Sequence, residues 1–342
     1  MTINASSPVP ATPGAGADHR LTRLIDCPAL ARRADVGRVF VKVEGERPLG
    51  SFKSLGGMLA GQRALARAAE RADGVCLRLI CASDGNHGLA VAAAAQRAGV
   101  PAAIYLPTTV SRARAERIAA LDGEVRWIDG TYDDAVATAA AAAARGEGLL
   151  IADTSADPDD MVVRDVMAGY GLLAVELVKQ FDADKAVRPT HLFVQAGVGG
   201  LAAAMAEGLQ TILQPPGAIL VVEPENAACV TAALAAGHPV QIPGDLHTSA
   251  HMLSCGLASA PALRTLQRHR AQSVTVDEQA LDAAVAIMIA AGGPHTTPSG
   301  AAGLAGLLRI AAEAPLRARY RLGTDSIILL ISTEGPIAEQ KN

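Results

Sequence analysis

One repeated alternation constrains this chain more than any other feature. Short β-branched or leucine-rich runs at residues 39–43, 77–80, 103–106, 125–128, 149–152, 191–194, 219–222, 273–276 and 327–331 are separated by longer stretches, many of them alanine-rich. Runs of four to five apolar residues read as strands buried on both faces. Strand, helix and strand in repeated succession specify an α/β class with doubly wound, mostly parallel sheets covered by helices. Alanine suits that layering, because it has the best helix propensity and its small face packs close to a sheet.

The 342 residues suggest two domains. Residues 84–155 carry three compact strand–helix units of their own, so the expected division is a small α/β domain over 84–155 inserted in a large domain built from 21–83 and 156–342. Residues 1–20, rich in Pro, Gly, Ala and Ser without periodicity, are expected to form a flexible arm.

Composition narrows the function classes. The chain is 50% hydrophobic but only 3% aromatic, with one Trp, four Tyr and four Phe, which leaves few platforms for stacking single-stranded bases. A net charge of −4 supplies no cationic field for nucleic acid or acidic membranes. No apolar run reaches the length of a membrane span, and the first residues lack the basic stretch and apolar core of a signal peptide, so a cytoplasmic protein is expected. Cys27, Cys76, Cys81, Cys229 and Cys255 are scattered and never paired as CxxC, which indicates neither a disulfide framework nor a zinc knuckle.

In open α/β sheets ligands sit beyond the carboxyl ends of the strands, so four turns matter most. In Gly50-Ser-Phe-Lys53-Ser-Leu-Gly-Gly57 a lysine is held between small residues at a helix start, where the positive end of the helix dipole is expected to lower its pKa. The bland reading of Lys53 is a solvated surface lysine. Ser83-Asp84-Gly85-Asn86-His87-Gly88 follows a strand and offers amides and a hydroxyl to an anion, with Asn86 as a neutral donor; a tight capped turn explains it equally well. Gln195-Ala-Gly197-Val198-Gly199-Gly200-Leu201 lets backbone amides close on a phosphate. It is also compatible with a dinucleotide fold, although Gly-x-Gly-Gly departs from GxGxxG and the acid at Glu223 is followed by Pro224. Ser332-Thr333-Glu334-Gly335 places two hydroxyls where the last strand ends.

Taken in this order the four turns resemble the fold type II pyridoxal-phosphate enzymes, the superfamily of tryptophan synthase β, threonine dehydratase and serine racemase, over essentially the whole chain beyond residue 35. The resemblance implies that Lys53 forms the Schiff base with pyridoxal 5′-phosphate and that Asn86 bonds its 3′ oxygen. It implies that the amides of Gly197, Val198, Gly199, Gly200 and Leu201 hold the phosphate and that Ser332 or Thr333 faces the ring nitrogen. A hydroxyl there leaves the ring a weaker electron sink, which suits loss of a β substituent.

Within the superfamily the chain is similar to the diaminopropionate ammonia-lyases. Leu49–Gly57, Ser83–Gly88 with its Asp84, Ala152-Asp153-Thr154 followed by Met167–Gly171, Val222-Glu-Pro224 with Cys229, and Ser332–Gly335 carry the likeness. In that family the acid at position 84 is the base opposite the lysine, taking the α proton of the D enantiomer while the lysine serves the L. Ser83 and Asp84, with His87 and Asp153, are then substrate-binding, and Asp153 pairs with the departing β-ammonium. The chain is shorter than usual members, and their Met-Ala-Gly-Leu-rich stretch is matched only loosely by Met252–Leu257. Cys229 stands where serine racemases carry an acid, so no metal is expected at Glu223.

The expected reaction is α,β-elimination from 2,3-diaminopropionate to pyruvate and ammonia, by a homodimer acting on a small amino acid without nucleic-acid or membrane partners. A serine or threonine dehydratase or a racemase of the same fold is the alternative, and a non-catalytic dinucleotide-binding module the reading from another class. With so few aromatics, the pocket is expected to be walled by backbone and small side chains.

Overall fold

A computed structural model of the chain describes residues 21–71, 76–83, 85–183 and 187–336. Among them ten strands form two sheets: β1 (Leu24–Asp26), β2 (Arg38–Val43), β3 (Leu79–Cys81), β4 (Ala102–Pro107), β5 (Gly123–Ile128), β6 (Leu149–Leu150), β7 (His191–Gln195), β8 (Ala218–Pro224), β9 (Gln272–Val276) and β10 (Ile327–Ser332). The larger sheet runs β1-β2-β10-β7-β8-β9 and the smaller β5-β4-β3-β6. Every pairing is parallel except β1 with β2.

All nine runs read as strands carry one. β1 has no counterpart in that reading, because three residues on an antiparallel edge leave no apolar run to detect. β3 pairs with β4 and β6, so the smaller sheet starts at Leu79, before the boundary expected at residue 84.

Side-chain alternation divides the core. In β10, Leu329 and Ile331 pack on one face of the larger sheet while Ile328 and Leu330 pack on the other. The smaller sheet buries Ile80, Ala103 and Tyr105 under Ala135, Ala139 and Ala142 of the Tyr132–Ala144 helix, which is the close alanine packing that the composition predicts.

The Lys53–Arg71 helix joins the two halves by packing on both the Asn86–Ala98 and Met161–Ala183 helices. A methyl on Gly57 would lie 2.6 Å from Ala90 Cβ, and one on Gly61 would lie 2.9 Å from Ala94 Cβ. Glycine at both positions therefore sets how near the first two helices approach. The resulting architecture brings the carboxyl ends of β2, β3, β6, β7 and β10 toward one region, which holds the turns singled out above.

Candidate active site

Lys53 is the first residue of its helix, and the chain before it is pinned. Leu49 and Gly50 both adopt left-handed backbone (φ 69° and 79°), Gly335 N–H donates to Gly50 O (3.0 Å), and Phe52 N–H donates to Thr333 O (3.2 Å). Ser51 and Glu334 also form an isolated β-bridge. The lysine turn and the turn after β10 are thus one backbone unit.

Lys53 Nζ lies 2.5 Å from Asp153 Oδ2, with both side chains mostly buried. This overturns the expectation of a lysine with a depressed pKa. Burial pushes the ammonium down, but the Asp153 charge and hydrogen bond hold it above the ordinary lysine value. Burial likewise pushes Asp153 up, and the Lys53 charge brings it well below the usual carboxylate range. The lysine is not a solvated surface group.

Two rings flank this pair. Lys53 Nζ sits 5.6 Å from the centroid of Phe52 and 5.8 Å from that of Tyr170, and the two rings pack against each other at 4.9 Å. The expectation of a pocket walled only by backbone and small side chains is corrected here. Few aromatics in the chain did not mean few at the site. Burial pushes the Tyr170 phenol up to about 12, so it stays protonated.

The turn after β3 leads into the Asn86–Ala98 helix, with Ser83 Oγ accepting from Gly85 N–H (3.4 Å). Asp84 lies outside the described residues. Met252 covers the turn closely enough that a methyl on Gly85 would lie 2.8 Å from its Sδ. His87 is buried, donates Nε2–H to Ile151 O (2.9 Å), and is kept neutral by burial, which lowers its pKa. Asn86 donates its Nδ2–H to Glu334 Oε2.

The glycine turn after β7 opens the Gly200–Gly208 helix, whose first N–H groups have no acceptor within the helix. Gly199 has φ +97°, a conformation that glycine alone adopts cheaply. Gly197 is gripped by two cysteines: Cys229 Sγ–H donates to its carbonyl (3.1 Å), and a methyl on it would lie 3.0 Å from Cys255 Sγ. Val198 and Leu201 complete the turn.

The two hydroxyls after β10 differ. Thr333 Oγ1 accepts from Gln195 Nε2–H (3.1 Å), whereas Ser332 Oγ is buried without a hydrogen-bond partner among the described residues. Tyr170 OH and His87 Nδ1 are in the same position. Orphaned polar atoms are costly unless something satisfies them. Here they accompany a buried amine and a glycine turn at a helix start, so the residues present fit a phosphorylated pyridine aldehyde. Glu223 is committed elsewhere: its carboxylate accepts from Val230 N–H (2.8 Å) and from Thr231 N–H and Oγ–H (2.7 and 2.6 Å).

Phe52, Tyr170 and Glu334 stand inside the motifs, but nothing in the sequence alone gives them a role. Glu334 carried a usable signal, an acid in the turn that directly follows the last strand.

Residues 17–332 match the family model described as pyridoxal-phosphate dependent enzyme. The chain is 30% identical to the diaminopropionate ammonia-lyase of Salmonella typhimurium over 93% of its own length and 86% of the relative's. It is 34% identical to the L-threonine dehydratase of Escherichia coli (strain K12), over 79% of this chain and 48% of that one. A solved structure of Escherichia coli diaminopropionate ammonia-lyase, in complex with an aminoacrylate–pyridoxal-phosphate azomethine intermediate, superposes with a TM-score of 0.82 at 29% identity, covering 93% of this chain and 85% of that one. No helix of the described residues is long and apolar enough to cross a membrane. The chain belongs to the pyridoxal-phosphate-dependent enzyme family, as a lyase of fold type II.

Proposed function

We propose that the protein is an ammonia-lyase that eliminates from 2,3-diaminopropionate, in its D and L forms, to give pyruvate and ammonia. The observation that carries this reading is the Lys53–Asp153 pair at 2.5 Å. Pyridoxal phosphate, when bound, supplies an aldehyde for amine capture and a ring that withdraws electrons from the α-carbon. Lys53 would be the amine that holds that aldehyde, which would take its ammonium away from Asp153. A mostly buried carboxylate without its cation is expensive. A second amino group on the substrate restores the charge partner, which the hydroxyl of serine or threonine cannot do.

Asn86 would face the ring oxygen, the amides of residues 197–201 would hold the phosphate, and Ser332 would face the ring nitrogen. Ser83 and the amides of its turn would take the substrate carboxylate. Lys53, as a free amine, accepts the α proton of the L substrate, and Asp84 that of the D substrate from the opposite face. The Cα–H bond breaks with its proton going to one of these bases. The Cβ–N bond breaks with its electrons leaving on ammonia, beside Asp153. Released 2-aminoacrylate hydrolyses to pyruvate and a second ammonia.

The test is a pyruvate assay on D- and L-diaminopropionate beside serine and threonine. Diaminopropionate should exceed both by at least about tenfold in kcat/KM, a difference of roughly 1.4 kcal/mol in transition-state binding. Preference for a hydroxy amino acid would move the assignment to a dehydratase. Asp84→Asn should abolish the D reaction and spare the L; equal loss of both would sink the two-base arrangement. A homodimer is part of the same proposal and is read from the mass of the loaded protein in solution.

A further inference from the structure

The group that ties the site together is one that the proposed chemistry does not use. Glu334 is buried directly after β10. Its Oε2 accepts from Asn86 Nδ2–H, and its Oε1 accepts from Thr297 Oγ1–H at 2.5 Å. Thr297 is itself held, because its hydroxyl oxygen caps the Pro298–Ala312 helix by accepting from Gly300 N–H (3.1 Å). That leaves its proton for Glu334. The backbone carbonyl of Glu334 accepts from Thr296 Oγ1–H (2.6 Å), and its bridge to Ser51 fixes it to the lysine turn.

Both carboxyl oxygens thus accept and neither donates, which is the pattern of an ionised carboxylate. Burial pushes the Glu334 carboxyl above its ordinary value, against the hydrogen bonds from Thr297 and Asn86 and the positive charges of Arg114 and Arg117 on the Arg112–Ala119 helix. The bond also fixes which way the Asn86 amide points. One amide hydrogen is used on Glu334, so the other hydrogen and the amide oxygen are what Asn86 can offer a ligand. Isolated asparagine turns have no such constraint.

We infer that Glu334 is a positioning residue for the cofactor: it locks the Asn86 amide and holds a negative charge behind the contact that Asn86 makes with the ring oxygen. The inference rests on the pyridoxal-phosphate reading of the site. A carboxylate in that place makes the ring oxygen, and the proton it shares with the Lys53 nitrogen, harder to deprotonate.

The test is a pH titration of the visible absorption of the loaded enzyme, together with the pyridoxal-phosphate Kd. Glu334→Gln keeps an acceptor for Asn86 and can turn its NH2 toward Thr297 while losing the charge. Its titration midpoint should fall by about one pH unit with Kd changed less than about threefold. Glu334→Asp keeps the charge but is one methylene short of Asn86. Its midpoint should stay near the parent's while Kd rises about tenfold. An unchanged midpoint in Glu334→Gln overturns the electrostatic role, and an unchanged Kd in Glu334→Asp overturns the positioning role. Should Glu334→Gln not fold, Glu334→Asp still decides the second point. If the parent protein takes up no pyridoxal phosphate, the cofactor reading itself fails, and the absent band shows this before any variant is made.

Discussion

The ring of Tyr170 fills the space that a side chain at Gly56 would need: a methyl carbon there would lie 2.3 Å from Tyr170 Cε1 and 2.9 Å from Val166 Cγ1. Gly56 faces the ring from the lysine helix and Gly200 from the Gly200–Gly208 helix, where a methyl would meet Tyr170 Cε2 at 3.6 Å. Tyr170 therefore spaces the two helix starts on which the site is built. Gly56→Ala gains about 1 kcal/mol of helix propensity, but overpacking costs about 1–3 kcal/mol or more, so a net loss is expected in urea unfolding. Tyr170→Phe should cost little, since the hydroxyl has no hydrogen-bond partner among the described residues. A Gly56→Ala variant as stable as its parent would show that the ring is free to move.

A buried ionic group braces β2 against the Met161–Ala183 helix. Lys42 Nζ donates to Glu176 Oε2 (2.7 Å) and Arg47 Nη2 donates to the same oxygen (2.6 Å), with all three side chains nearly inaccessible. Burial raises the Glu176 carboxyl, but the Arg47 and Lys42 bonds bring its pKa below the ordinary value. A depressed folded-state pKa stabilises above the unfolded value of about 4.3 and is lost as pH falls through the folded value. Glu176→Gln should cost about 3 kcal/mol at pH 7 by leaving buried Lys42 without an anion, while Arg47 keeps its bonds to Glu44 (2.7 and 3.1 Å). That difference should shrink as pH drops below about 4; a pH-independent loss would point to packing as the cause.

Much of this was legible in the chain, and the reasons differ by feature. Buried parallel strands declare themselves as continuous apolar runs, so β2, β4, β7, β8 and β10 could be read directly, and the glycine turn after β7 followed from its place at a strand end. Pairing across distant segments could not be read. Asp153 lies a hundred positions from Lys53, and without that contact the helix dipole was the only visible influence on the lysine, which pointed to the wrong sign. Tyr170 and Glu334 were hidden likewise, because nothing local says that a helix-borne tyrosine meets Gly56 or that an acid in a turn finds an asparagine 248 positions away.

Removing the Asp153 charge should change when Lys53 can act as an amine. In the parent the carboxylate holds Lys53 protonated, so uptake of pyridoxal phosphate by the ligand-free protein should quicken steadily as pH rises. In Asp153→Asn burial is left unopposed and the lysine pKa falls. Uptake at pH 7.5 should be faster by about tenfold for each unit of that fall, levelling off at lower pH than in the parent. Superimposable pH profiles, followed by visible absorbance, would mean that the 2.5 Å contact does not govern the lysine. The same variant should lose more kcat/KM toward diaminopropionate than toward serine, because only the diamine uses the seat at position 153.

Ser332 and Thr333 are the two hydroxyls proposed for the ring nitrogen, and their hydrogen bonds differ. Thr333 Oγ1 is engaged by Gln195, whose Nε2 also reaches Ser299 O (2.9 Å) and Ile331 O (3.0 Å). Thr333→Val should therefore leave a buried donor less well satisfied and cost about 1 kcal/mol in the ligand-free protein. It should have little effect on the absorption of the bound cofactor. Ser332 Oγ has no such bond to lose, so Ser332→Ala should leave ligand-free stability almost unchanged or slightly improved. With pyridoxal phosphate present the order reverses. Ser332→Ala should weaken binding about tenfold, the worth of one buried hydrogen bond, and shift the visible band. If Thr333→Val alone moves the band, the ring nitrogen belongs to Thr333, whose proton is left free by the bond that its oxygen accepts from Gln195.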